Sequence, residues 1–168
     1  MDDSLAAFIN QARRHCALLE DEGVPNSWVF AEECLRSVLR LYDGALLLPS
    51  TEPTTEESFD RITHQEWEAA RKRVSDRLQR DYYWQIFEPL EVDPPEAMAG
   101  SLSDDLADIW RDLKVGLRAL EDNTHVKRAD IVWHWRFSFE SHWAQHAAGA
   151  ISGLNALCFG QFADPSRP

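Results

Sequence analysis

Cysteine and positive charge are both scarce in this sequence. Cys16, Cys34 and Cys158 are odd in number, widely spaced and without a Cys-x-x-Cys pair. Nothing in them asks for a disulfide framework or a cysteine-rich zinc site, and they read as small core hydrophobes in a reducing compartment. Lys and Arg total 17 against 29 Asp and Glu, for a net charge of -12. Such a surface repels phosphate backbones and anionic bilayers, so neither direct nucleic-acid binding nor membrane binding is expected. The basic run Arg71, Lys72, Arg73, Arg77 and Arg80 reads as a solvated helix face. No apolar run approaches the length of a membrane span, since Ala45-Leu46-Leu47-Leu48 stops at Pro49. The acidic opening Met1-Asp2-Asp3-Ser4 does not look like a secretory signal, and a cytoplasmic location is expected. There is no Gly-rich phosphate loop, no Gly-x-Ser-x-Gly elbow, no sustained strand-like alternation and no internal repeat.

What is abundant is material for one core. In 168 residues, 44% are hydrophobic, with seven Trp and eight Phe, enough for a single domain over residues 1–162. Leu5, Phe8, Ile9, Ala12, Cys16 and Leu19 recur at helical spacing, as do Trp28, Ala31, Cys34, Leu35, Val38, Leu39 and Tyr42 after the turn Val24-Pro25-Asn26. Residues 49–62, rich in Pro, Thr, Ser and Glu, predict a surface loop open to proteases. Thr63-His64-Gln65-Glu66 has the capping-box pattern and starts a helix through Trp67, Ala70, Val74 and Leu78, which can run on into Tyr82 to Phe87. Residues 88–101, with Pro89, Pro94 and Pro95, predict a second loop. Ser103 then opens a fourth helix, with Asp104 and Asp105 in its positive first turn. Glu121-Asp122-Asn123-Thr124 breaks that pattern before a long C-terminal helix to Phe159, and residues 163–168 predict a frayed tail. The expected fold is all-α, a bundle of five or six helices.

The last helix carries the unusual chemistry. At a constant 100° per residue, Val132, Trp135, Phe139, Trp143, Ala147, Ala150, Leu154 and Leu157 share one apolar face, with Arg136 near its middle. A buried guanidinium needs a carboxylate, and Asp108 or Asp112 on the fourth helix is the expected partner. Trp133, Phe137 and Ile151 form a second apolar patch, covered within a monomer or used in a homodimer. Asp105, Asp108 and Asp112 lie at i, i+3 and i+7 on one edge of the fourth helix, where like charges need something positive between them. His142 and His146, one turn apart, have a spacing able to chelate a divalent ion together with Asp108 and Asp112. The plainer alternative pairs Asp108 and Asp112 with Arg111, Lys114 or solvent and leaves both imidazoles as hydrogen-bonded core neighbours.

Ser103-Asp104-Asp105-Leu106-Ala107-Asp108-Ile109-Trp110-Arg111-Asp112, with Phe139-Glu140-Ser141-His142-Trp143-Ala144-Gln145-His146, resembles the bacterial "domain of unknown function 5063" family. Tyr83-Trp84-Gln85-Ile86-Phe87-Glu88-Pro89, Leu41-Tyr42 and Leu48-Pro49 fit the same pattern. Trp110 stands where that family usually has Tyr, and Ala144 where it has Gly. The resemblance implies a small all-α bacterial protein and no particular activity. Asp105-Leu106-Ala107-Asp108 is also similar to the second acidic motif of all-α nucleoside-triphosphate pyrophosphatases. The partner motif is broken, because Glu32-Glu33 is followed by Arg36 where a carboxylate is required. The expected function is non-catalytic binding of a protein or small ligand at Asp105, Asp108, Asp112, Arg136, His142, Trp143 and His146, with no cofactor. The alternative is an enzyme holding one divalent metal ion on Asp108, Asp112, His142 and His146.

Overall fold

The computed structural model of the chain describes residues 3–23, 27–54, 59, 61–86, 89–90, 93, 96–121, 126–161 and 163. The helices are α1 (Asp3–Glu20), α2 (Ser27–Leu46), α3 (His64–Arg77), α4 (Leu102–Glu121), α5 (Arg128–Ser138) and α6 (Ala144–Phe159). A five-residue π-helical turn, Phe139–Trp143, joins α5 to α6 without a break, giving the expected long C-terminal helix. The chain is an all-α single domain with a two-stranded sheet, and α4 packs against α1, α3, α5 and α6 at its centre. The turn at Val24-Pro25-Asn26, the break at residues 122–124 and the tail other than residue 163 lie outside the described residues.

The apolar stripes read from the sequence become the core. Phe8, Ala12, Phe30, Cys34, Val38, Leu41, Leu106, Ile109, Leu113, Trp135 and Trp143 are all buried. On α2 the stripe runs through Leu41, while Leu39 faces out. The capping box at α3 is present: Glu66 N–H donates to Thr63 Oγ1 (3.3 Å), and Thr63 N–H donates to Glu66 Oε2 (2.8 Å). Glu66 also binds Arg118, locking the start of α3 onto α4. Arg77, expected on a solvated face, is buried instead. Its guanidinium lies over the Phe30 ring and donates to Leu18 O (2.8 Å) and Asp21 O (3.0 Å), satisfying the carbonyl end of α1.

Two expectations about local structure need correction. Helix α3 does not run into the aromatic segment, because Leu78 turns extended at its end. Tyr82–Ile86 form strand β1, antiparallel to β2 (Ala97–Ser101), with Tyr83 opposite Gly100 and Trp84 opposite Ala99. A run of aromatic and β-branched side chains suits a pleated surface better than a helix. Residues 97–101 are therefore strand where loop was expected, and Asp81 closes the hairpin base by accepting from Ser103 N–H (2.7 Å) and Ser103 Oγ–H (2.8 Å).

The described part of the 49–62 segment has no helix or strand and is mostly exposed, but it is tied to the body at three points. Thr54 donates its N–H (2.5 Å) and Oγ1–H (3.0 Å) to the buried carboxylate of Asp130, Phe59 packs on His134, and Ile62 is buried.

The π turn explains a periodicity that a straight helix cannot. Trp135, Phe139, Trp143 and Ala147 recur every fourth residue, and all are buried. Each four-residue step on an α-helix overshoots a turn by about 40°, so three steps would carry Ala147 about 120° away from Trp135. One extra residue absorbed in a wide turn cancels most of that drift. The side chains before and after Phe139 therefore follow two different wheels. On the first wheel, Arg136 falls at the edge of the buried face.

Candidate functional site

The fourth helix brings a row of carboxylates to the site, with Arg111 paired to Asp108 at 2.7 Å and lying 3.9 Å from Asp112. Asp105, Asp108 and Asp112 stand along its edge facing the C-terminal helix, as their spacing requires, and Asp105 and Asp108 are buried. The π turn and the start of α6 present His142 and His146 to that edge. His142 Nδ1–H donates to Asp112 Oδ2 and His146 Nδ1–H donates to Asp105 Oδ1, each at 2.8 Å. A carboxylate only accepts, so the proton on each pair sits at Nδ1 and the outward nitrogen of both rings is Nε2. His146 Nε2 lies 3.5 Å from Asp108 Oδ2, and the two ring centroids are 4.8 Å apart. Asp108, His142 and His146 each bring one ligand-capable atom within 4.8 Å of the others.

Other side chains hold the carboxylates in place. Asp108 Oδ1 accepts from the Trp67 indole N–H (2.9 Å) and from Arg111 (2.7 Å), so the bland Asp108–Arg111 pairing coexists with the cluster. Asp105 Oδ2 accepts from the Tyr83 hydroxyl at 2.6 Å. Tyr83 fits its slot because three facing residues are glycine. A Cβ on Gly149 would lie 2.2 Å from its hydroxyl oxygen, and Cβ atoms on Gly100 and Gly153 would lie 2.5 and 2.9 Å from ring carbons. The Asp105 hydrogen bond raises the pKa of His146 against the opposing effect of burial, with Asp108, Asp105 and Asp104 adding to the rise. Burial, then the neighbouring Asp108 and Asp105 charges, raise the Asp104 carboxyl. Burial, then the Asp105 contact, raise the Tyr83 phenol.

Five of the seven expected site residues, Asp105, Asp108, Asp112, His142 and His146, come together, and two do not. Arg136 donates from Nε to Glu140 (2.9 Å) and from a terminal nitrogen to Leu48 O (2.5 Å). It staples α5 to the carbonyl end of α2 and makes no pair with Asp108 or Asp112. The straight-helix wheel misplaced it by merging the two halves that the π turn separates. Trp143 is fully buried against Phe139, so it backs the site without facing it. Asp112 orients His142 and lies outside the three-residue ligand group. Glu32 pairs with Arg36 at 2.5 Å and joins no ligand cluster among the described residues, so the pyrophosphatase-like arrangement has no first motif here.

Sequence reasoning missed Trp67 and Tyr83. Trp67 looked like one more member of the α3 stripe, and Tyr83 looked helical. The signal for Tyr83 was the spacing Gly149-x-x-x-Gly153, a smooth strip on α6 that something bulky had to fill.

A family model described as "Domain of unknown function (DUF5063)" matches residues 1–159. The chain belongs to the DUF5063 family. No curated protein matches it. Among solved structures, this DUF5063 chain is similar to protein BF1032 from Bacteroides fragilis, with a TM-score of 0.80 at 23% identity, covering 99% of this chain and 98% of that one. At that identity the likeness establishes the shared fold. Among the described residues no helix is long and apolar enough to cross a membrane.

Proposed function

We propose that this DUF5063 protein binds one first-row divalent transition-metal ion, with Asp108 and the Nε2 atoms of His142 and His146 as its ligands. The observation carrying this reading is that each imidazole has an aspartate on its Nδ1. That is how a protein fixes the tautomer and aim of a ligating histidine while raising its basicity. Two nitrogens and one carboxylate oxygen suit zinc, iron, manganese or cobalt better than magnesium or calcium, which prefer all-oxygen shells. An ion about 2.1 Å from each donor needs them roughly 3.4 Å apart, so the present spread of up to 4.8 Å closes by small side-chain rotations.

Three protein ligands leave coordination positions for water or a small ligand, in keeping with a binding role and open to metal-dependent chemistry. Cys16, Cys34 and Cys158 are buried and form no disulfide among the described residues, in keeping with a reducing compartment such as the cytoplasm.

Cobalt(II) titration followed by visible absorption tests the site. The expected result is a ligand-field band saturating at one equivalent. It should be lost in His142→Ala and His146→Ala and weakened about 10- to 100-fold in Asp112→Asn, which leaves the ligands but removes an orienting carboxylate. Equal cobalt uptake by the wild type and a folded His142→Ala/His146→Ala variant would sink the proposal.

A further inference from the structure

Strand β1 pairs with β2 along one edge, and among the described residues no strand pairs with the other. Where its backbone groups point follows from the register. Tyr83 stands opposite Gly100 and Gln85 opposite Met98, and in the same register Leu102 N–H donates to Asp81 O at 2.8 Å. Hydrogen-bonded pairs alternate along an antiparallel ladder, so residues 81, 83 and 85 bond towards β2. The N–H and C=O groups of Tyr82, Trp84 and Ile86 therefore point out of the open edge. Those three residues also carry the strand's exposed apolar side chains, at 77%, 75% and 47% exposure, while Tyr83 and Gln85 are half-buried. A cleft of about 570 Å³ lies between β1 and Gln145, Ala148 and Ser152 of α6. Trp84, Gln85 and Ile86 line it in succession, as consecutive residues do along a strand's edge and not on its face. The space beside β1 is open to an incoming strand.

An open edge can take an extended segment of another chain. A second copy is singled out by the strand's own symmetry. When two β1 strands are laid antiparallel about a two-fold axis at Trp84, Trp84 meets its counterpart, and Tyr82 meets Ile86 of the second copy on either side. These are the positions whose backbone groups point outward, so each opposed pair exchanges both of its hydrogen bonds. Tyrosine against isoleucine is a favourable cross-strand pair. Tyr82 to Ile86 holds no charged residue, so two copies of a chain with a net charge of -12 meet along this strand without opposing like charges. We propose that the chain forms a two-fold dimer by antiparallel pairing of β1 with β1 of a second copy, joining two hairpins into one four-stranded sheet. The contact is separate from the metal ligands, and from Trp133 and Phe137, which stack on each other with ring centroids 5.0 Å apart. One short strand from each copy falls at or below the low end of specific interfaces, about 1,200 Å², so the affinity is micromolar.

Sedimentation velocity of the wild type from about 1 to 300 µM tests this, with an expected monomer–dimer equilibrium and a dissociation constant on the order of 10 µM. Trp84→Lys sets two like charges on the axis. Trp84→Pro removes the outward N–H and leaves the bonds to β2. Each should weaken association at least about tenfold with unchanged far-ultraviolet circular dichroism. Cross-linking reads the register. Trp84→Cys brings two Cα atoms to about 5.5 Å across the axis, within disulfide reach, whereas those of Tyr82→Cys would stand about 14 Å apart. Oxidised glutathione should cross-link the first variant and not the second, the three native cysteines being buried. The proposal is overturned by a wild type that stays monomeric at about 300 µM, which would leave the edge to a different chain. Wild-type association in either folded Trp84 variant, or cross-linking of Tyr82→Cys as fast as Trp84→Cys, overturns it as well.

Discussion

Tyr83 shows how far one side chain can organise a site it does not enter. Its hydroxyl is the donor that holds Asp105 Oδ2, while Asp105 Oδ1 holds His146. Tyr83→Phe leaves a buried carboxylate oxygen without that partner, at a cost of about 1 to 3 kcal/mol. Gly149→Ala should cost at least as much, since its Cβ would collide with the Tyr83 hydroxyl, and Gly100 and Gly153 leave the ring little room to retreat. Urea denaturation of both variants checks this. Two midpoints matching the wild type would mean that the hydroxyl contributes nothing. The same residue shows why local reading fails at such a place, because a tyrosine inside Tyr-Tyr-Trp-Gln-Ile has no neighbour in sequence to indicate that its partners are three glycines and an aspartate.

At the level of the element, the π turn at Phe139–Trp143 decides what the last helix can do. It keeps four large or packed side chains on the core while shifting the frame in which His142 and His146 meet α4. A π turn is in effect one inserted residue, so deleting the exposed Ser141 should convert it to ordinary α-helix with both flanks in register. The expected product folds with a melting temperature near or above that of the wild type but takes up cobalt at least about tenfold more weakly, because His142 loses its aim at Asp112. Thermal melts and cobalt titration on the same preparation check both halves. A deletion that keeps wild-type metal affinity would show that the turn serves packing alone. Helix α3 makes the contrasting case, since Thr63 and Glu66 announce its start locally and the structure obeys them.

For the whole molecule, acid stability depends on a junction that the sequence does not advertise. His15 on α1 is fully buried, bonded through Nδ1 to Ser37 Oγ of α2 at 3.0 Å. Burial lowers its pKa from 6.5 to about 4, offset only in part by the backbone of Leu106 on α4. The unfolded chain therefore binds the proton first as pH falls. The stabilisation is complete above about pH 6.5, declines through the window below it and is spent by about pH 4, a difference on the order of 3 kcal/mol at most. His15→Leu should flatten that acid limb. Falling pH also relieves the repulsion within an acidic chain, but both proteins share that effect, so the difference between their urea midpoints at pH 7 and pH 4.5 isolates His15. Parallel pH dependence in the two would contradict a buried neutral imidazole.

Periodicity, capping and composition act over a few residues or over the whole chain, and both are written directly in the sequence. They determined the helices, the core stripes of α1 and α4, the capping box at Thr63, the carboxylate edge of α4 and the facing histidine pair. The tertiary structure decided what each of these meets. Asp112 became an orienter, Asp108 a candidate ligand, Arg136 a staple on Leu48 and Arg77 a cap on α1. The physical reason is that a side chain's face is set by the rotation accumulated along its helix, and its charge by what packs opposite. One wide turn changed the first, and a strand formed by aromatic residues changed the second. Neither sum can be completed until the elements have docked.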